Sequence, residues 1–76
     1  MKEFIELISK KLVEHPEDVQ VRVIEGDDEH VFELRVHPDD MGRVIGKNGR
    51  VAKAVRTLLA AAAAKQDVNA NLEIVE

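Results

Sequence analysis

Between Lys2 and Glu14 the apolar residues Phe4, Ile5, Ile8 and Leu12 recur at helical spacing, and Leu7 and Val13 widen the stripe, which predicts an amphipathic helix. His15-Pro16 ends it, because the residue before a proline is pushed out of helical geometry. Val19, Val21 and Val23 then alternate with Gln20 and Arg22, the period of a half-buried strand. Beyond the turn residues Gly26-Asp27-Asp28, a second alternating run of Phe32, Leu34 and Val36 predicts the returning arm of a hairpin. His37-Pro38-Asp39-Asp40 breaks that strand, and an aspartate just before Met41 is expected to cap a new helix by accepting hydrogen bonds from free amides. This helix is short, running through Arg43, Val44 and Ile45 before Gly46 to Gly49 forces a tight turn. From Arg50 to about Lys65 a further helix is expected, with Val51, Val55, Leu58 and Leu59 as its apolar stripe and the strong helix formers Ala60 to Ala64 near its end. Gln66 and Asp67 mark the exit, and Leu72 and Ile74 alternate with Asn71 and Glu73 in a last strand.

Helix, strand, strand, helix, helix, strand predicts an α+β fold, a three-stranded mixed sheet with helices packed on one face and the other face largely wet. The hairpin is antiparallel, whereas the last strand arrives through two helices and should lie parallel to its neighbour across a right-handed crossover. The 76 residues, without repeat or linker, read as one domain over 1–76. Its core is expected to be thin, because so short a chain buries only about 60% of the surface it exposes when unfolded. No cysteine is present to staple it or to ligate zinc. The first apolar stretch, Phe4 to Ile8, is interrupted by Glu6 and is too short for a signal peptide or a membrane span. A soluble cytoplasmic protein with no membrane partner is therefore expected.

A net charge of −4 taken alone argues against a polyanionic ligand. The distribution reverses that reading. Between Met41 and Gln66 lie Arg43, Lys47, Arg50, Lys53, Arg56 and Lys65 and no acidic residue, a local charge of +6, while the remainder holds five basic and fifteen acidic residues, a charge of −10. One basic zone on an acidic body offers one docking surface for a nucleic acid.

Inside that zone stands Gly46-Lys47-Asn48-Gly49, between two helices. Glycines permit positive φ and let the backbone approach a ligand, the helix beginning near Arg50 presents free amides, and Lys47 adds a full charge. Arg50, Lys53 and Arg56 continue along one flank as a rail for phosphates. With no tryptophan or tyrosine and only Phe4 and Phe32, stacking on aromatics is not the main binding mode.

Rival chemistries fare worse. Gly42 to Lys47 is one residue short of a Walker A loop, has Asn48 where Ser or Thr should bind magnesium, and follows a helix rather than a strand. His15, His30 and His37 are scattered, without an i, i+4 pair, and read as surface histidines rather than metal ligands. Asp27-Asp28-Glu29 lacks the spacing of a calcium loop. No enzymatic activity, cofactor or metal is expected.

Val44-Ile45-Gly46-Lys47-Asn48-Gly49 resembles the signature of the KH domain, whose GXXG loop clamps the backbone of about four nucleotides. The order of elements resembles the type II KH fold. Gly49-Arg50-Val51-Ala52-Lys53-Ala54-Val55-Arg56-Thr57 is similar to the small bacterial single-KH RNA-binding proteins of the KhpA (YlqC-like) family, and the resemblance covers nearly the whole chain. It implies single-stranded RNA as partner, with Gly46, Lys47, Asn48 and Gly49 holding phosphates and sugars and Arg43, Arg50 and Lys53 adding backbone contacts. Val44, Ile45, Val51 and Ala52 would line one wall of a base groove, although core packing remains an equal alternative for Val44, Ile45 and Val51. The last strand, Asn71 to Val75, would offer main-chain groups to base edges. Ala52 stands where a larger aliphatic residue is usual, which implies low sequence selectivity, as in an RNA chaperone or post-transcriptional regulator. A lone domain of this kind binds weakly, and pairing raises avidity. A homodimer, or a heterodimer with a larger KH-containing protein, is expected through the Leu58 to Ala64 stretch, with Leu58, Leu59, Ala61 and Ala62 at the interface. The alternative is a protein-interaction module whose main role is that assembly.

Overall fold

In a computed structural model, which describes residues 1–75, the first helix α1 spans Lys2–Leu12. It stops two residues short of Glu14, because Val13 is already extended at φ −95° and ψ 161°. Glu3 in its first turn and Lys10 and Lys11 in its last complement the helix dipole. Its inward face is carried by Ile5 and Ser9, while Phe4 and Leu7, expected in the apolar stripe, are 37% and 57% exposed. The chain then makes a short 3-10 turn at Pro16–Asp18 and enters β1, Gln20–Glu25.

Strand β2, Glu29–Arg35, pairs antiparallel with β1, and β3, Asn69–Val75, pairs parallel with β2. The sheet order β1-β2-β3 makes it mixed and leaves β3 at an edge. The register sets Val21 beside Leu34 beside Ile74, and Val23 beside Phe32 beside Leu72. Side chains alternate across a strand, so these six share one face. They meet Ile5 of α1, Val44 of helix α2 (Met41–Ile45) and Leu59 of helix α3 (Arg50–Ala64) in a single core. The opposite face carries Arg22, Glu33 and Glu73 in one row, with Ile24 exposed beside them. The expected α+β architecture, with helices on one face of a mixed sheet, is what the chain forms.

Helix α3 is rotated relative to the stripe predicted for it. The buried residues are Ala52, Leu59 and Ala63, with Val55 half-buried against the core, whereas Leu58 is 53% exposed. Spacings of three, four and four place Ala52, Val55, Leu59 and Ala63 on one line. Alanines at both ends of that line let the helix lie close to β3. The helix exits through Asp67, which takes a positive φ of 56°, as Val68 N donates to Ala63 O.

Asp40 departs from the role expected of it. It stands at the N-cap position of α2 yet its side chain makes no capping hydrogen bond to that helix. Its carboxylate is 1% exposed and accepts from the amides of Glu14 at 3.1 Å and His15 at 3.0 Å, 26 and 25 residues away. The chain leaving α1 is thereby tied to the start of α2. Burial pushes the Asp40 carboxyl up, but the two amides and the charges of His15 and Arg43 more than reverse this and hold it below its ordinary value.

Candidate nucleic-acid interface

Helix α2 ends where Gly46 adopts φ 78° and ψ 170°, a region open essentially to glycine alone. Lys47–Gly49 follow as one 3-10 turn, with Asn48 at φ 57° and Gly49 at φ 74°, both left-handed. Asparagine is the side chain best able to take that conformation after glycine. Two bonds close the loop, Gly46 N donating to Gly42 O at 2.8 Å and Gly49 N to Gly46 O at 3.1 Å. Gly46 also has no room for a side chain, since a Cβ there would stand 2.8 Å from the backbone nitrogen of Val51. At Gly49 the same space is open.

This turn delivers the chain into α3 with Gly49 as its cap residue, so no side chain bonds the first amides of that fifteen-residue helix, and no acid lies in its first turn. The positive end of the helix dipole is left uncompensated beside the loop. Lys47 and Asn48 project into solvent, and Arg50 and Lys53 are exposed along α3. Among the described residues no ion pair forms to Lys47, Arg50 or Lys53. Four of the residues expected to contact RNA therefore converge at one tip, Lys47, Asn48, Arg50 and Lys53, framed by Gly46 and Gly49.

The others divide. Arg43 is exposed but committed, its Nη2 donating to Glu14 Oε1 at 2.6 Å and its Nε lying 3.8 Å from Asp40 Oδ1. Val44, at 3% exposure, belongs to the core, so it does not line a groove. Ala52 is likewise 3% exposed and offers almost no surface to a base. Ile45 and Val51 are half-buried, Ile45 packed against the core and Val51 against Gly46, and they alone remain of the expected apolar wall. Leu59, expected at a dimer interface, is 1% exposed and sits in the core, where it is unavailable to a partner. Leu58 and Ala61 are exposed and Ala62 is half-buried.

Arg56, third in the expected rail, instead spans from α3 to β3, with Nε and Nη2 at 3.4 Å and 3.3 Å from Leu72 O. The Leu72 amide donates to Asn71 Oδ1 at 2.9 Å. Both main-chain groups of Leu72 thus point to the open edge of the sheet and are met by side chains of the chain itself. By alternation Ala70 and Ile74 face the same edge. Neither Arg56 nor Asn71 carries a sequence signal for this role, which depends on β3 being the edge strand.

A surface depression of about 380 Å³ between the end of α3 and the start of β3 includes Asp28 and Asp67 in its lining and is ill-suited to a polyanion. No described helix is long and apolar enough to cross a membrane.

Compared with known proteins, residues 2–74 match the family model described as KhpA/KhpB, KH domain. The chain is 51% identical to RNA-binding protein KhpA of Clostridium perfringens over 75 residues, covering 99% of this chain and 100% of the relative. It is 54% identical to RNA-binding protein KhpA of Halalkalibacterium halodurans over 78 residues, all of both chains, and 45% identical to that of Chlamydia pneumoniae, over 100% of this chain and 97% of the relative. No solved structure matches.

Proposed function

Because the chain belongs to the KhpA/KhpB KH-domain family, we propose that it binds single-stranded RNA by gripping the sugar-phosphate backbone with Gly46-Lys47-Asn48-Gly49. The observation that carries this reading is the exposed Lys47-Asn48 tip, set by positive-φ glycines at the uncapped, acid-free start of α3. Amides there donate to phosphate oxygens, and the Lys47 ammonium supplies the charge. Arg50 and Lys53 extend the contact along the helix, while Ile45 and Val51 give bases a small apolar shelf. So narrow a shelf, without tryptophan or tyrosine, selects bases weakly. The role that fits is a low-selectivity RNA chaperone or post-transcriptional regulator acting in the cytoplasm, with no catalytic step.

The test replaces Lys47 and Asn48 together by aspartate. Both side chains are exposed, so the melting curve should stay close to that of the parent while RNA affinity is lost to repulsion. Retained RNA binding by the folded variant refutes the loop assignment. For three or four neutralised phosphates, log affinity should fall against log salt with a slope of roughly −2 to −3.

A paired state is supported by a separate observation. Leu58 is 53% exposed on α3, with the exposed Ala54 and Ala61 four residues before and three after it on the same face. Small neighbours around a single leucine let a second helix approach closely. The pairing is with a second copy or with a larger KH-containing protein, and avidity then compensates for the few nucleotides that one copy holds. Leu58→Glu should abolish the dimer in sedimentation without unfolding the chain. A monomer at high concentration, alone and with such a partner, excludes it.

A further inference from the structure

His15 and His37 lie 22 residues apart in the sequence, yet their rings stack with centroids 4.2 Å apart and planes at 24°. Asp39 completes a cluster in which one donor atom from each of the three residues lies within 4.8 Å of the others. We propose that His15, His37 and Asp39 form a binding site for a borderline divalent transition-metal ion of the zinc class.

Two features prepare the site. Asp40 holds both histidines by their backbones, its carboxylate accepting from the His15 amide at 3.0 Å and its own amide donating to His37 O at 2.8 Å. The two rings are therefore brought together by the same buried residue that ties α1 to α2, and their approach does not depend on flexible side chains alone. The Nδ1 atoms also lie near carboxylates, His37 Nδ1 at 3.7 Å from Asp39 Oδ2 and His15 Nδ1 at 3.8 Å from Glu17 Oε2, so an anionic group stands beside each ring. Both rings are about one-third exposed, 39% for His15 and 33% for His37, and an ion can enter from solvent.

Two imidazoles with one carboxylate suit zinc, nickel or copper and do not suit magnesium or calcium, which take oxygen ligands. Water would fill the fourth position of a tetrahedral zinc. Side-chain rotations must shorten the donor separations and tilt the rings out of their stack so that both in-plane lone pairs aim at one ion, since Zn–N and Zn–O bonds run at about 2.0–2.2 Å. One existing bond stands in the way, the Asp39 amide donating to His37 Nδ1 at 3.0 Å. It is exposed, and water replaces the acceptor when the metal takes that nitrogen.

The experiment titrates the full chain with zinc chloride in a calorimeter and follows the ring resonances of all three histidines. Binding of one ion per chain, joint movement of the His15 and His37 signals, and a rise in melting temperature are expected. His37→Asn keeps a side-chain oxygen for the Asp39 amide while removing the ring, and with His15→Gln it should weaken zinc binding at least tenfold. His30→Gln should leave binding unchanged, and magnesium should produce no response. If a variant fails to fold, the parent spectra still decide, because zinc that moves neither ring or only one overturns the site. Equal zinc affinity in parent and folded His37→Asn, loss of binding in His30→Gln, or a magnesium response equal to that of zinc also overturns it.

Discussion

Gly46→Ala should harm this chain far more than Gly49→Ala, although both glycines have similar φ, 78° and 74°. They differ in ψ and in surroundings. At ψ 170° Gly46 occupies a region that side-chain-bearing residues pay about 1–3 kcal/mol to enter. An alanine methyl there would also run into Val51 Cγ2 and stand 2.8 Å from the Val51 backbone nitrogen. Overpacking of that kind costs typically about 1–3 kcal/mol, so the two effects together cost about 2–6 kcal/mol. A 76-residue domain has roughly 4–11 kcal/mol in total. Gly49, at ψ 15° with open space around it, suffers only the left-handed penalty of about 1–2 kcal/mol. At about 4–8 °C per kcal/mol, Gly49→Ala should lower Tm by about 4–16 °C, and Gly46→Ala by more, up to loss of the folded state. Thermal and urea melts followed by circular dichroism measure both. Adding Val51→Ala separates the contributions, because it removes Cγ2 but not the backbone nitrogen, and so should restore only part of the loss. A Gly46→Ala protein that melts within a few degrees of the parent, or below which Gly49→Ala falls, refutes the reasoning.

Leu59→Ala should cost about 2–5 kcal/mol in urea denaturation, as a residue only 1% exposed in the core, whereas Leu58→Ala should leave stability within about 0.5 kcal/mol and act on association alone. Asp40→Asn should lower Tm more than Asp39→Asn, since Glu14 N and His15 N donate to different oxygens of Asp40 and an amide replaces one of them with a donor NH2, while Asp39 is exposed. Because the Asp40 carboxyl is held below its ordinary value, its contribution is present above the ordinary carboxylate range and lost as pH falls through the lowered value, so the acid limb of the stability curve should flatten in Asp40→Asn. Arg56→Ala should expose Leu72 O at the sheet edge and speed exchange of amides along β3, measured by hydrogen exchange, with little effect on β1.

Much of the fold is legible in the chain because large apolar residues announce their periods. Val21, Val23, Phe32, Leu34, Leu72 and Ile74 alternate visibly, so three strands, their shared face and their antiparallel and parallel senses follow from spacing and connection length. The Gly46–Gly49 turn and the acid-free segment around it are equally visible, since a backbone that needs positive φ and a surface that needs positive charge both write themselves in residue type.

Tertiary structure decided the rest, wherever a residue's role depends on what the fold sets beside it. Alanines at positions 52 and 63 barely register in a hydrophobic pattern, so the stripe of α3, judged from its bulky residues, keeps Val55 and Leu59 but includes the exposed Leu58 and misses the buried Ala52 and Ala63. Arg43 and Arg56 count as free charges until Glu14, Asp40 and Leu72 are brought against them from other elements. Asp40 looks like a local cap, and only the folded chain supplies amides from 25 and 26 residues away. His15 and His37 are two unrelated histidines in the sequence, and they become neighbours because that same buried carboxylate joins the end of α1 to the start of α2. Local chemistry is read from neighbours in the chain, whereas partners distant in sequence exist only after the core has closed.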